Sequence, residues 1–172
     1  ESVGEVCYFD VLPPEELIDA IGDSDAVIVN KARITAEVMD GCPNLRFIGL
    51  FATGYNNIDT VAAAERGIAV CNVPGYSTDS VAQLSVAMAL SLVTHLDEFR
   101  NFVHPGEYSR SSSANRLEPV YHEIAGMTWG VVGGGGIGSK VAEIAQALGC
   151  RVLLCRRQPE TRYEAADIDR IC

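Results

Sequence analysis

Thr128-Trp129-Gly130-Val131-Val132-Gly133-Gly134-Gly135-Gly136-Ile137-Gly138 is the stretch on which the fold turns. Its first five residues read as a strand. Val141, Ile144, Ala145 and Leu148 then recur at helical spacing until Gly149, and Arg151-Val152-Leu153-Leu154-Cys155 reads as the next strand. Strand, glycine-rich turn, helix and strand is the context that a G-x-G-x-x-G phosphate turn requires, with Gly133, Gly135 and Gly138 at its three glycine positions. Gly133 permits the tight turn, Gly135 lets the backbone approach a pyrophosphate, and Gly138 allows close packing of helix on strand. The amides at the helix start then face the phosphates, with the positive helix end behind them. Four consecutive glycines are also compatible with a merely flexible loop. The flanking elements favour dinucleotide binding, with other α/β nucleotide sites as the alternative.

An acidic residue at the end of the second strand would hold a ribose 2′-hydroxyl. That position, 18 residues past Gly138, is Arg156, and Arg157 follows. Arginine cannot accept the hydroxyl's proton but pairs with a 2′-phosphate, which favours NADP(H) over NAD(H). The alternative is a solvated arginine pair at a strand end.

Upstream, short β-branched runs alternate with short helical patterns. Val6 to Phe9, Ala26 to Val29, Phe47 to Phe51 and Ile68 to Cys71 read as strands; Pro13 to Ile18, Thr35 to Met39 and Thr60 to Arg66 read as helices. Continuous apolar strands separated by helices predict a parallel sheet covered on both faces. Ser80 and Gln83 read as a capping box opening a helix that runs to about Arg100, apolar nearly all round and therefore buried. Residues 101–122 are polar and connecting. Two α/β domains follow from this, 1–100 and 101–172, both doubly wound parallel sheets of the Rossmann or flavodoxin-like kind, linked by the long helix, the second incomplete.

Composition narrows the partners. Residues 1–98 carry 4 basic and 15 acidic side chains and the whole chain has net charge −10, so nucleic acid and anionic membrane surfaces are not expected partners. The six cysteines, Cys7, Cys42, Cys71, Cys150, Cys155 and Cys172, contain no C-x-x-C pair, and His95, His104 and His122 supply no closely spaced ligands, so no metal is expected. The longest apolar stretch, Val81 to Val93, falls short of the ~20 residues that cross a bilayer, and the opening residues have no signal-peptide pattern. The expectation is a soluble cytoplasmic protein.

Phe51-Ala52-Thr53-Gly54-Tyr55-Asn56-Asn57-Ile58-Asp59, Arg66-Gly67-Ile68-Ala69-Val70, Asn72-Val73-Pro74-Gly75 and Thr78-Asp79-Ser80-Val81-Ala82-Gln83, followed by the glycine turn, resemble the D-isomer-specific 2-hydroxyacid dehydrogenase family. Tyr121 to Gly126 is similar to the approach to that turn in glycerate dehydrogenases and hydroxypyruvate reductases. The resemblance implies a substrate-binding domain over 1–100 and the first half of an NAD(P)-binding domain over 101–172. It implies that Thr53 and Gly54 belong to the loop whose amides hold the substrate carboxylate, that Thr53 also faces the nicotinamide, that Gly136 and Ile137 touch the pyrophosphate, and that Arg156 selects the ribose. Lys31 reads as an exposed lysine rather than a cleft residue.

The implied reaction is hydride transfer between a nicotinamide cofactor, NADP or NAD, and a small 2-keto or 2-hydroxy acid such as hydroxypyruvate or glyoxylate, in a homodimer. The family's catalytic arginine, glutamate and histidine match nothing in 1–172, so the chain reads as a fragment, short at both ends and inactive alone. The alternatives are a non-catalytic, dehydrogenase-like NAD(P)-binding regulator and a Rossmann methyltransferase.

Overall fold

The computed structural model describes residues 4–112, 115–157 and 163–165. The chain divides into two compact units, Glu1–Tyr76 and Ser77–Cys172.

The first unit opens with a 3-10 turn, Pro14–Glu16, that runs into α1 (Leu17–Ile21). Then come β1 (Ala26–Val29), α2 (Ala36–Gly41), β2 (Phe47–Leu50), α3 (Thr60–Glu65) and β3 (Ala69–Cys71). Local chemistry sets the helix starts. Thr35 Oγ1 accepts from the Val38 amide at 3.4 Å, and an Asp59 carboxylate oxygen accepts from the Ala62 amide at 2.9 Å. The strands are parallel in the order β1-β2-β3, with Val27 opposite Ile48 and Ile48 opposite Val70. Ile34, Ile48, Leu50, Met39, Cys42 and Ala63 form the centre of the core. Arg66 closes α3 onto α2 with two bonds to the Asp40 carboxylate, at 2.8 and 2.9 Å.

One sequence expectation changes here. Val6 to Phe9 forms no strand, and Tyr8 is 89 % exposed; a β-favouring run becomes a strand only when a ladder partner takes its amides and carbonyls. Val29, Ile48 and Leu50 are buried under the helices, whereas Ile28, on the alternate face of β1, is 57 % exposed.

The second unit begins with α4 (Thr78–Val93), α5 (Leu96–Val103) and the short α6 (Glu107–Arg110), and continues as β4 (Thr128–Val132), α7 (Gly136–Ala147), β5 (Arg151–Cys155) and β6 (Glu164–Ala165). Its strands are parallel in the order β4-β5-β6. β5 is central and buries Val152, Leu153 and Leu154 in succession, as a strand covered on both faces must. Ala82 of α4 and Ala142 and Ala145 of α7 are fully buried, and these small side chains let the two helices pack together.

The long helix differs from its expected form. It starts at Thr78, and Ser77 at its N-cap makes no side-chain cap bond; Ser80 donates its hydroxyl to the Ser77 carbonyl (3.1 Å), so the capping box does not form. It ends at Val93 rather than near Arg100. Thr94 returns its hydroxyl to the Leu90 carbonyl at 2.7 Å, and His95 takes the left-handed conformation (φ 51°), so α5 leaves at 67° to α4. The His95 ring bonds Glu98 at 2.9 Å across the break. Only Ala82 and Val86 of α4 are buried, while Leu84, Met88 and Leu92 are 59–77 % exposed. The helix packs on α7 and falls within the second unit. The segment expected to be a plain connector contains α6 and an aromatic clasp, with Arg116 4.0 Å above the Phe102 ring and Phe99 edge-on to Tyr121. No single described helix is long and apolar enough to cross a membrane.

Candidate functional site

In the second unit β4 ends at Val132 and the chain reverses at Gly133, whose φ of +102° is one that only glycine adopts without strain. The Gly133 amide donates to the Cys155 carbonyl at 2.9 Å, tying the turn to the end of β5. Gly138 passes so close beneath it that a Cβ there would lie 1.8 Å from the Gly133 carbonyl oxygen. Gly135 caps α7 in an extended conformation, and a Cβ built on it meets nothing within 4 Å. The first helical bond runs from the Ser139 amide to the Gly135 carbonyl at 2.9 Å. The amides of Gly136, Ile137 and Gly138 therefore precede any helical acceptor.

This geometry fits a pyrophosphate. Free amides and a positive helix end face open space above Gly135, and the two glycines that must be tight are tight. Gly133, Ile137 and Gly138 also line a groove of about 460 Å³ along β4.

Arg156 follows directly after β5 and lies on the same turn. Its side chain crosses Gly134, where a built Cβ would sit 2.8 Å from the arginine Cδ and 2.9 Å from its Cβ. Arg157 is exposed. Gln158 and Cys172 lie outside the described residues. Sequence reading missed Thr78 here: the first residue of α4 reaches the turn, its Oγ1 3.6 Å from a Cβ built on Gly136. Its place in the Thr78 to Gln83 motif was the available signal.

In the first unit Thr53 and Gly54 occupy the loop after β2. The loop is clamped to the segment after β3 by three bonds. Asn72 donates from its side-chain amide to the Thr53 carbonyl (2.7 Å), Thr53 donates its hydroxyl to the Val73 carbonyl (3.1 Å), and the Val73 amide donates to the Ala52 carbonyl (3.0 Å). Asn57 fixes the other end, donating to the Ala32 carbonyl at 2.7 Å. Both Thr53 and Gly54 lie at the surface, and Lys31 is exposed. Asn72 and Asn57 stand in the sequence only as members of the family-like motifs; their clamping role depends on which loops the fold brings together. A shallow cavity of about 300 Å³ lies beside this loop, lined by Tyr55, Thr60, Ile68 and Asn72 among others.

The remaining reactive groups have structural surroundings. His95 bonds Glu98, and His104 caps the end of α5. Burial pushes the Cys42 and Cys150 thiols above their ordinary range, and each gives a weak bond to a backbone carbonyl, of Ile18 and Ile124 respectively. Among the described residues no three His, Cys, Asp or Glu side chains converge as metal ligands would.

A parallel α/β unit carrying a phosphate turn of this geometry belongs to the nucleotide-binding class of folds. Comparison with known proteins makes the class specific. The model of the D-isomer-specific 2-hydroxyacid dehydrogenase catalytic domain matches residues 1–165, and the chain belongs to that family. It is 39 % identical over 156 residues to a hydroxypyruvate reductase of Blautia hydrogenotrophica, covering 89 % of this chain and 48 % of that protein. The crystal structure of the TT0316 protein from Thermus thermophilus superposes with a TM-score of 0.84 at 31 % identity, over 97 % of this chain and 53 % of that one. A D-lactate dehydrogenase from Aquifex aeolicus, complexed with NAD and lactic acid, superposes with a TM-score of 0.68 at 30 % identity, over 88 % of this chain and 43 % of that one. The chain spans about half the length of the relatives it matches.

Proposed function

We propose that residues 1–172 supply the substrate-orienting loop and the cofactor turn of an NADP(H)-linked D-2-hydroxyacid dehydrogenase that acts on hydroxypyruvate, glyoxylate or a similar small 2-keto acid. The observation that carries this reading is the glycine turn: a left-handed Gly133, a tight Gly138 and open space over Gly135 at the head of α7. The NAD complex of the D-lactate dehydrogenase neighbour supports a nicotinamide cofactor, and the hydroxypyruvate reductase relative supports the substrate class.

A bound nicotinamide supplies the hydride for carbon 2. The part played by this chain is binding and orientation. The amides of the Thr53-Gly54 loop capture the substrate carboxylate without placing a charged side chain beside the reacting carbon. Thr53 donates its hydroxyl hydrogen to the Val73 carbonyl, which leaves only acceptor lone pairs on its oxygen for a bound ligand. Gly135, Gly136 and Ile137 hold the pyrophosphate, and Arg156 with Arg157 takes the ribose 2′-phosphate. Under this reading the first unit serves the substrate and the second the cofactor. The groups that polarise the carbonyl and move the proton lie outside residues 1–172, and the exposed stripe of Leu84, Met88 and Leu92 supports a homodimer.

The test is nicotinamide absorbance with hydroxypyruvate and glyoxylate, using NADPH and NADH, on the full protein and on residues 1–172. Turnover by the full protein with NADPH and none by residues 1–172 is expected. General acid–base catalysis alone is worth ~10²–10⁴-fold, so turnover by residues 1–172 at the full protein's rate would refute the assignment and make His104 and His122 the first residues to mutate.

A further inference from the structure

The phosphate fingerprint gives no task to Gly134 or Gly136; Gly136 is read as touching the pyrophosphate, and Gly134 is left without a role. It does not take a left-handed φ, so the backbone does not require glycine there. The neighbour does: a Cβ would stand 2.8 Å from Arg156 Cδ, 2.9 Å from its Cβ and 3.2 Å from its Nε. The outer atoms could swing aside, but the Arg156 Cβ is fixed to the end of β5. Nor can the loop retreat freely. The Gly133 amide is bonded to the Cys155 carbonyl, one residue before Arg156, at 2.9 Å, and Ser139 holds the Gly134 carbonyl from the helix side at 3.4 Å. Loop and strand end are thus pinned together with the arginine stem between them.

We infer that Gly134 is a specificity-positioning residue. Its missing side chain is the seat of the Arg156 stem, and that seat fixes the guanidinium against the phosphate turn so that a 2′-phosphorylated dinucleotide is preferred. The inference rests on the reading of Arg156 as the 2′-phosphate ligand. Selectivity then belongs to a pair of residues 22 positions apart, and an arginine at the end of β5 confers it only where the turn has no Cβ to displace it.

The test is fluorescence titration of the full protein with NADPH and with NADH, for the parent and for Gly134→Ala, Arg156→Gly and the double variant, each checked for folding by circular dichroism. A charged hydrogen-bonding pair supports a roughly tenfold or larger preference. Gly134→Ala should lose that preference while NADH affinity stays within about twofold of the parent, as expected when the pyrophosphate contacts are untouched. The double variant should bind both cofactors as Arg156→Gly does, because the Cβ then has no side chain to meet. That comparison carries the test if Gly134→Ala alone fails to fold. A parent without NADPH preference, or one whose preference survives Arg156→Gly, overturns the 2′-phosphate reading and the inference with it. A preference lost in Arg156→Gly but kept in Gly134→Ala overturns the inference alone. Equal weakening of both cofactors in the double variant relative to Arg156→Gly assigns Gly134 to the pyrophosphate, and also overturns it.

Discussion

Two substitutions in the glycine turn should separate folding from binding. Alanine at 138 places its Cβ 1.8 Å from the Gly133 carbonyl oxygen and 3.3 Å from Val131 Cγ1. Side-chain carbons essentially never stand within 3.0 Å of a neighbour, so two pieces of backbone must part, and neither is a flexible side-chain end. Overpacking of this kind costs ~1–3 kcal/mol or somewhat more. In a domain of this size that lowers Tm by roughly 2–12 °C, and the displaced turn loses its dinucleotide as well. Valine at 135 is the opposite case. Its backbone is extended and its Cβ meets nothing within 4 Å, so the fold should lose less than about 1 kcal/mol, the difference between glycine and an apolar residue at an N-cap. The new side chain fills the space a pyrophosphate would use. Loss of two charged hydrogen bonds weakens binding by roughly a hundredfold or more. Thermal melts and NADPH titration of both variants in the full protein measure the two effects. Unchanged NADPH affinity in Gly135→Val would rule out a pyrophosphate above Gly135, and an unchanged melt in Gly138→Ala would rule out the close packing at Gly138.

Three further outcomes are expected. Asn72→Ala removes the 2.7 Å bond to the Thr53 carbonyl and should raise KM for the keto acid about threefold to tenfold, the worth of one hydrogen bond, with kcat and NADPH affinity held; a fall in kcat alone would contradict a positioning role. The Arg66 guanidinium holds the Asp40 carboxyl below its ordinary value. The pair's stabilisation is therefore complete above the ordinary carboxylate range and disappears as pH falls through the lowered value, so Asp40→Asn should make the acid limb of the stability profile shallower while barely moving its alkaline limb. Burial raises the Cys42 and Cys150 thiols, so iodoacetamide at pH 8 should label the exposed Cys7 and Cys71 first, and peptide mass spectrometry showing Cys42 labelled as fast as Cys71 would disprove the buried assignment.

The site was legible where its chemistry is local. Gly133, Gly135 and Gly138 take their tasks from backbone geometry within one turn, and the flanking strand and helix announce themselves by period, so β4, α7 and β5 fall where the residues place them. The α4–α5 break was not legible. It depends on Thr94 turning its hydroxyl back on Leu90 and on His95 entering the left-handed region, and neither leaves a mark on hydrophobic period. Val6 to Phe9 has the composition of a strand, yet strand formation depends on a partner that composition cannot report. The clamps from Asn72 and Asn57 and the seat of Arg156 on Gly134 join residues 19 to 25 positions apart. They become visible only when the fold brings their loops together.

In the proposed function, the turn at the head of α7 is where this protein holds a dinucleotide pyrophosphate. A crystal structure of the full protein grown with NADPH tests it most directly. Pyrophosphate oxygens are expected within hydrogen-bonding distance, roughly 2.7–3.2 Å, of the amides among Gly135, Gly136 and Ile137, with the adenosine ribose beside Arg156. A dinucleotide bound with its pyrophosphate away from this turn would contradict it.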